Sequence, residues 1–257
     1  MTNSRFIWII TNNAFKTILI YKTKHQMMKT TQYFIKARLF PTILCAVPLL
    51  TLYYFGFSEK IIEFIDFLKD YKWLSDITIS IAIIYFLTQI NRFIAKELFQ
   101  NIFFKDEHNM PTTDYLLYSN TYFAENTKLR IRKKIKDSYN IELLDRQKEE
   151  ENELEARKTI MEAVSQIRNS TRDNQLLLQH NVEYGFVRNL IGGCALSLII
   201  CAFNLYFFKE VIENPIAFKI SFICTLLYSA PILFSKYLVK KYARYYAKVL
   251  FEQFLKV

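Results

Sequence analysis

Residues 149–208 read EEENELEARKTIMEAVSQIRNSTRDNQLLLQHNVEYGFVRNLIGGCALSLIICAFNLYFF, and this run decides the fold. It opens in charge: Glu149, Glu150, Glu151, Glu153 and Glu155 precede Arg157 and Lys158, the sense that suits a helix dipole. Ile160, Val164 and Ile167 follow at three- and four-residue spacing, joined by Ala156 and Ala163, so one face is apolar. Then Arg168, Arg172, Asn174, Gln179, His180, Asn181, Glu183 and Arg188 crowd together. From residue 190 to 208 no formal charge remains. No proline interrupts the run, so nothing of that kind forces a break. The pattern predicts one long helix passing from water into lipid. Gly185 and the Gly192–Gly193 pair either loosen it as a hinge or admit a closely packed neighbour.

Working outward, three more apolar blocks occupy residues 39–57, 74–90 and 216–234, each long enough to be read as a span. Four glycines and five prolines in 257 residues suit helices better than a turn-rich β fold. The fold class implied is all-α: a polytopic membrane protein with four transmembrane helices, arranged as two hairpins that bracket a cytosolic helical domain. The expected divisions are an N-terminal arm at 1–38, a first hairpin at 39–91, the helical domain at 92–185, a second hairpin at 186–235 and a basic amphipathic tail at 236–257. Pro48 should kink the first span. Residues 58–72 suggest a surface-lying amphipathic helix.

The net charge of +10 fits cytosolic flanks better than a nucleic-acid-binding surface. Residues 1–38 hold seven Lys or Arg and no acid, and residues 236–257 hold six against one Glu. Positive charge stays on the cytoplasmic side, so both termini and the central domain are expected in the cytoplasm of a cell whose inner membrane holds the spans. The segment before Met28 has apolar patches too short to span. It reads as an upstream extension ahead of a start at Met28, or as an interfacial arm; the intact mass of protein made from the native gene decides which.

Two constellations carry potential chemistry. Lys128, Arg130, Arg132, Lys133, Lys134 and Lys136 make a strongly basic helix. It suits anionic lipid or a small anionic ligand; the plainer reading is a solvated face balanced by the acids at 149–155. RNA is a further reading that no RNP-type motif supports, and no phosphate-binding loop is present. The polar cluster Arg168, Arg172, Asn174, Gln179, His180, Asn181, Glu183 and Arg188 suggests a wet vestibule, a subunit contact or a ligand pocket. Its plainer reading is a buried helix whose amides are satisfied by neighbours. His180 and Glu183 at i and i+3 make too small a set for a metal site. His180 with Tyr184 lacks a nucleophile motif. Cys45, Cys194, Cys201 and Cys224 sit inside apolar blocks with no CxxC spacing, which suits buried thiols. No catalytic residue, metal site or cofactor is implied. Thr88, Gln89, Asn91 and Asn204 either line a pore or hydrogen-bond between helices.

No family motif accompanies these features. The topology alone, paired spans around a cytosolic helical segment, is similar to small four-span membrane effectors of bacterial anti-phage systems, a resemblance that covers no particular residue. It implies a membrane-embedded, channel-like effector whose cytosolic sensor domain controls membrane permeability or integrity. Partners would be the bilayer and further copies of the chain. The alternative is a non-conducting membrane scaffold that recruits a cytosolic protein.

Overall fold

The computed structural model describes residues 27–57, 76–105 and 107–256, and among them every regular element is helical. The expectations for the first 26 residues and for a surface helix at 58–72 lie outside the described residues.

Helix α1, Met27–Leu44, contains a π-helical turn at Ile35–Leu39 and is followed by α2, Val47–Phe57, bent by 44° from it. The bend falls just before Pro48, near the expected kink. Proline removes a backbone donor there and the chain turns. Helix α3 covers residues 76–104, with a π-helical stretch at Ala95–Asn101, and stops at Lys105, which adopts φ 45°. Pro111 opens a short α4, Pro111–Asp114, as its ring permits at a first turn. Helix α5, Glu125–Tyr139, ends on left-handed Asn140.

The long run then departs from expectation, for it is three helices. These are α6, Arg146–Glu151; α7, Glu153–Ser170; and α8, Gln175–Tyr206, which continues to Val211 through a π-helical end. The breaks need no proline. The side chain of Asn152 accepts from the Glu155 amide and that of Asn174 from the Leu177 amide. Thr171 Oγ1 donates to the Ile167 carbonyl at 2.7 Å. Short polar side chains here offer the backbone hydrogen bonds that compete with helix continuation. Helix α9, Pro215–Leu233, starts on an Asn214 cap and carries Pro231 in its last turn; α10, Ser235–Lys256, follows after one residue.

The helices form two lobes. In the polar lobe, Ile131 and Ile135 of α5, Ile160 and Ile167 of α7, and Leu250 and Phe251 of α10 are fully buried together. The second half of α10 thus packs into this core, while Val239 and Ala243 in its first half join a second cluster with Phe104, Met110, Tyr184 and Ile191. The apolar lobe gathers α1, α2, α9 and the C-terminal half of α8. It exposes large apolar side chains such as Phe40, Leu50, Ile199, Ile223 and Leu227. Helices Gln175–Val211 and Pro215–Leu233 are long and apolar enough to cross a membrane, and the bent pair Met27–Leu44 and Val47–Phe57 makes a third if it acts as one span. Helix α3 is not among them: Thr88, Gln89, Asn91 and Arg92 dilute its second half.

Helix α8 is the common spine, touching α1, α2, α3, α9 and α10. Its glycines make this possible. A methyl at Gly192 would lie 2.5 Å from the Asn91 carbonyl oxygen and 2.8 Å from the Ala95 nitrogen. One at Gly193 would strike Cys45 Sγ, and one at Gly185 the Tyr33 hydroxyl. All three glycines lie within unbroken helix, so their role is close approach rather than hinging.

Candidate functional site

The six cations of α5 do not act together. Lys128 and Arg132 fall on the same helical stripe as Ile131 and Ile135, and all four are buried. Lys128 Nζ donates to the carbonyls of Leu117, Tyr118 and Asn120, filling its three donor positions. Arg132 donates to the carbonyls of Leu116 and Leu144 and pairs with Glu149 at 2.9 Å, stacked on the Tyr118 ring. Burial, then the adjacent Arg132, pull the Lys128 ammonium below its ordinary range. These two cations staple the 116–120 turn to α5 and offer nothing to a ligand. Lys136 pairs with Glu142 at the surface, and Lys134 lies over the Phe254 ring. Arg130 and Lys133 are exposed on the outer face of α5.

The polar cluster of α7 and α8 does converge. A cavity of about 460 Å³ opens where the two lobes meet. Helix α1 contributes Lys29, Thr30 and Tyr33, the end of α3 and the loop after it contribute Gln100, Glu107 and Met110, and α10 contributes Tyr246. The end of α7 and the following turn bring Arg168, Asn169, Arg172 and Asp173. Helix α8 adds Leu177, Leu178, Asn181, Tyr184 and Arg188. The break at Thr171–Asn174 builds this rim, because a continuous helix would carry Arg172 and Asp173 onward along one axis. Gly185 lets the Tyr33 hydroxyl approach the α8 backbone.

Inside the cavity, Arg188 Nη1 donates to Gln100 Oε1, and Gln100 Nε2 donates to Glu107 at 3.2 Å. Lys29 Nζ donates to the Asp173 carbonyl at 2.7 Å and lies 3.3 Å from its carboxylate. Among the described residues the buried Tyr184 hydroxyl and Arg188 Nε have no partner at hydrogen-bond geometry. Burial pushes the Tyr246 phenol above its ordinary value, so it stays a neutral donor.

Four of the expected vestibule residues therefore line the cavity: Arg168, Arg172, Asn181 and Arg188. The other four do not. Asn174 caps α8 and donates to Gln253 at 2.9 Å. Gln179 donates to Glu183 one turn on, and Glu183 lies 3.2 Å from His180 Nδ1. That carboxylate–imidazole pair gains no third ligand among the described residues. Sequence reasoning missed Lys29, Tyr33, Gln100 and Glu107, which come from elements distant in the chain. It noted Tyr184 without giving it this place.

Below the cavity the polar side chains of the apolar lobe serve packing. Asn204 donates to the Pro48 carbonyl at 2.8 Å, Ser197 to that of Cys45 and Asn189 to that of Ala37. Asn91 donates to Thr42 Oγ1, and Thr88 to the Ile84 carbonyl of its own helix. Asn91 and Asn204 thus hydrogen-bond between helices, one of the two readings of this set, while the Thr88 bond stays within α3.

The chain is thus an all-helical protein with two or three helices able to span a membrane, and with a cationic cavity between its lobes. Comparison with known protein families, with curated proteins and with solved structures yields no match.

Proposed function

We propose that this chain is a membrane-embedded effector of channel-like type, in which the polar lobe senses a signal in the cytoplasm and controls membrane permeability or integrity. The observation that carries the reading is α8. Its first turns wall the cavity, and the same rod continues without a break through the apolar lobe to residue 206. Anything that reorients its polar end acts mechanically on its apolar end.

Four crossings are part of the proposal: α1 with α2 as one bent span, then α3, α8 and α9. Support for α3 comes from residues 81–86, six successive exposed positions that include Ile81, Ile83, Ile84 and Phe86. Such a surface suits lipid on all sides. Orientation follows from Lys236, Lys240, Lys241 and Arg244, which cluster immediately past α9 with Tyr237 and Tyr245 and suit a cytoplasmic headgroup layer. Because α8 spends its polar groups on neighbouring helices, a conducting path would run between copies, so the proposal includes a homo-oligomer. The reading carries with it the topological similarity to small four-span effectors of bacterial anti-phage systems.

The test is release of an entrapped dye from liposomes holding the purified full chain, together with membrane potential in cells that express it. Dye release and depolarisation are the expected results. Intact vesicles and an unchanged potential, with a soluble protein copurifying in stoichiometric amount, would instead establish the scaffold alternative.

A further inference from the structure

We propose that the cavity between the lobes binds a phosphate-bearing small molecule of about mononucleotide size. The inference names the signal for the reading above and rests on it for its biological meaning, but not for its chemistry.

Charge is the first argument. Among the described residues the walls carry four cations, Lys29, Arg168, Arg172 and Arg188, and two carboxylates, Glu107 and Asp173. A phosphate monoester carries about −1.5 to −2 near neutral pH and suits a cation-rich wall. The three arginines come from the end of α7, the following turn and α8, and Lys29 joins them from α1 at the other end of the sequence. Repulsion among them is a cost that an anion removes.

Unfilled donors are the second and independent argument. Tyr184 is only 6% exposed, and among the described residues neither its hydroxyl nor Arg188 Nε has a partner at hydrogen-bond geometry, although the Arg188 guanidinium is the group beside the phenol. Buried donors in folded proteins are paired in the great majority of cases, so an unpaired phenol on a cavity wall points to a missing acceptor. A phosphoryl oxygen is such an acceptor, and it takes charge-assisted hydrogen bonds from arginine as well. The third argument is size and wall chemistry. About 460 Å³ lies in the range of small-molecule sites, and Tyr184, Tyr246, Leu177, Leu178 and Met110 add apolar surface to its lining.

One chemistry has two sources here, a soluble nucleotide or the phosphate of a lipid headgroup, because the cavity adjoins the apolar lobe. Binding is measured on the full chain in detergent, by native mass spectrometry and thermal unfolding, with no permeability readout. One arm adds inorganic phosphate, AMP and ATP. The other adds phosphatidic acid in nanodiscs, against phosphatidylcholine alone. Stabilisation by the nucleotides identifies a soluble ligand, and stabilisation by phosphatidic acid alone identifies a headgroup. Tyr184→Phe removes one hydroxyl and keeps the ring, and Arg168→Gln with Arg172→Gln removes rim charge. Each is expected to weaken binding about tenfold or more, whereas Arg130→Gln with Lys133→Gln on α5 leaves it unchanged. No binding in either arm overturns the proposal, as does equal binding by the Tyr184→Phe and double-arginine variants. Binding without dye release would keep the site and remove the effector reading; dye release without binding would do the reverse.

Discussion

Pro41 has no N–H to offer the carbonyl of Ala37, four residues back, and Asn189 of α8 donates to that carbonyl at 2.6 Å. Pro48 leaves the carbonyl of Leu44 in the same position, and the Tyr228 hydroxyl of α9 donates to it at 2.7 Å. Two helix-breaking residues are thus accommodated by two polar side chains reaching in from other helices, as apolar surroundings demand. Lys128 does comparable work in the polar lobe. Replacing it by Met keeps the stem and strands three backbone carbonyls. We expect Lys128→Met to cost about 3 kcal/mol, while Lys133→Gln on the exposed side stays within about 0.5 kcal/mol. Denaturant unfolding of both variants in detergent, followed by circular dichroism, makes the comparison; equal midpoints would show that Lys128 is not a staple. This difference between two lysines was legible in part. Positions 128, 131, 132 and 135 form one stripe at helical spacing, so Lys128 and Arg132 share a face with two isoleucines. Leu129, off that stripe, is exposed.

At the scale of elements, helix existence was legible and helix continuity was not. The apolar blocks at 190–208 and 216–234 fall in α8 and α9. The run from 149 to 208 seemed unbroken only because proline was taken as the sole breaker; Asn152, Thr171 and Asn174 end and start helices by hydrogen bonding alone. Glycine was ambiguous for the opposite reason. Its spacing admits hinge or contact, and only the neighbouring helix decides. The neighbour of Gly192 is the backbone of α3, which has no rotamer with which to yield. Gly192→Ala should therefore push α3 from α8 and cost about 1–3 kcal/mol. Gly56→Ala would meet the edge of the Phe207 ring at 3.0 Å, a side chain that can turn, and should cost less. Thermal unfolding of the two variants ranks them. A Gly192→Ala protein as stable as the parent would mean that the α3–α8 contact is looser than 2.5 Å allows.

At the scale of the molecule, the division into a polar and an apolar lobe follows from hydropathy, but the cavity between them does not. Its residues span positions 29 to 246, and only tertiary packing assembles them. Under the proposed topology α3 crosses the membrane beside α8 and α9. The native cysteines help, because Cys45, Cys194, Cys201 and Cys224 are all buried and should stay silent toward a water-soluble maleimide in the folded protein. Ile84 is exposed on the protein and should face lipid if α3 crosses. Ile84→Cys is then expected to resist an impermeant maleimide in intact membranes from either side and to react fully after denaturation. Lys133→Cys, on the outer face of α5, should react in inside-out vesicles and not in intact cells. Ready labelling of Ile84→Cys in intact membranes would place α3 in water and reduce the membrane part to the bent α1–α2 pair with α8 and α9. Labelling of Lys133→Cys from outside the cell would invert the orientation, and with it the compartment in which a ligand meets the cavity.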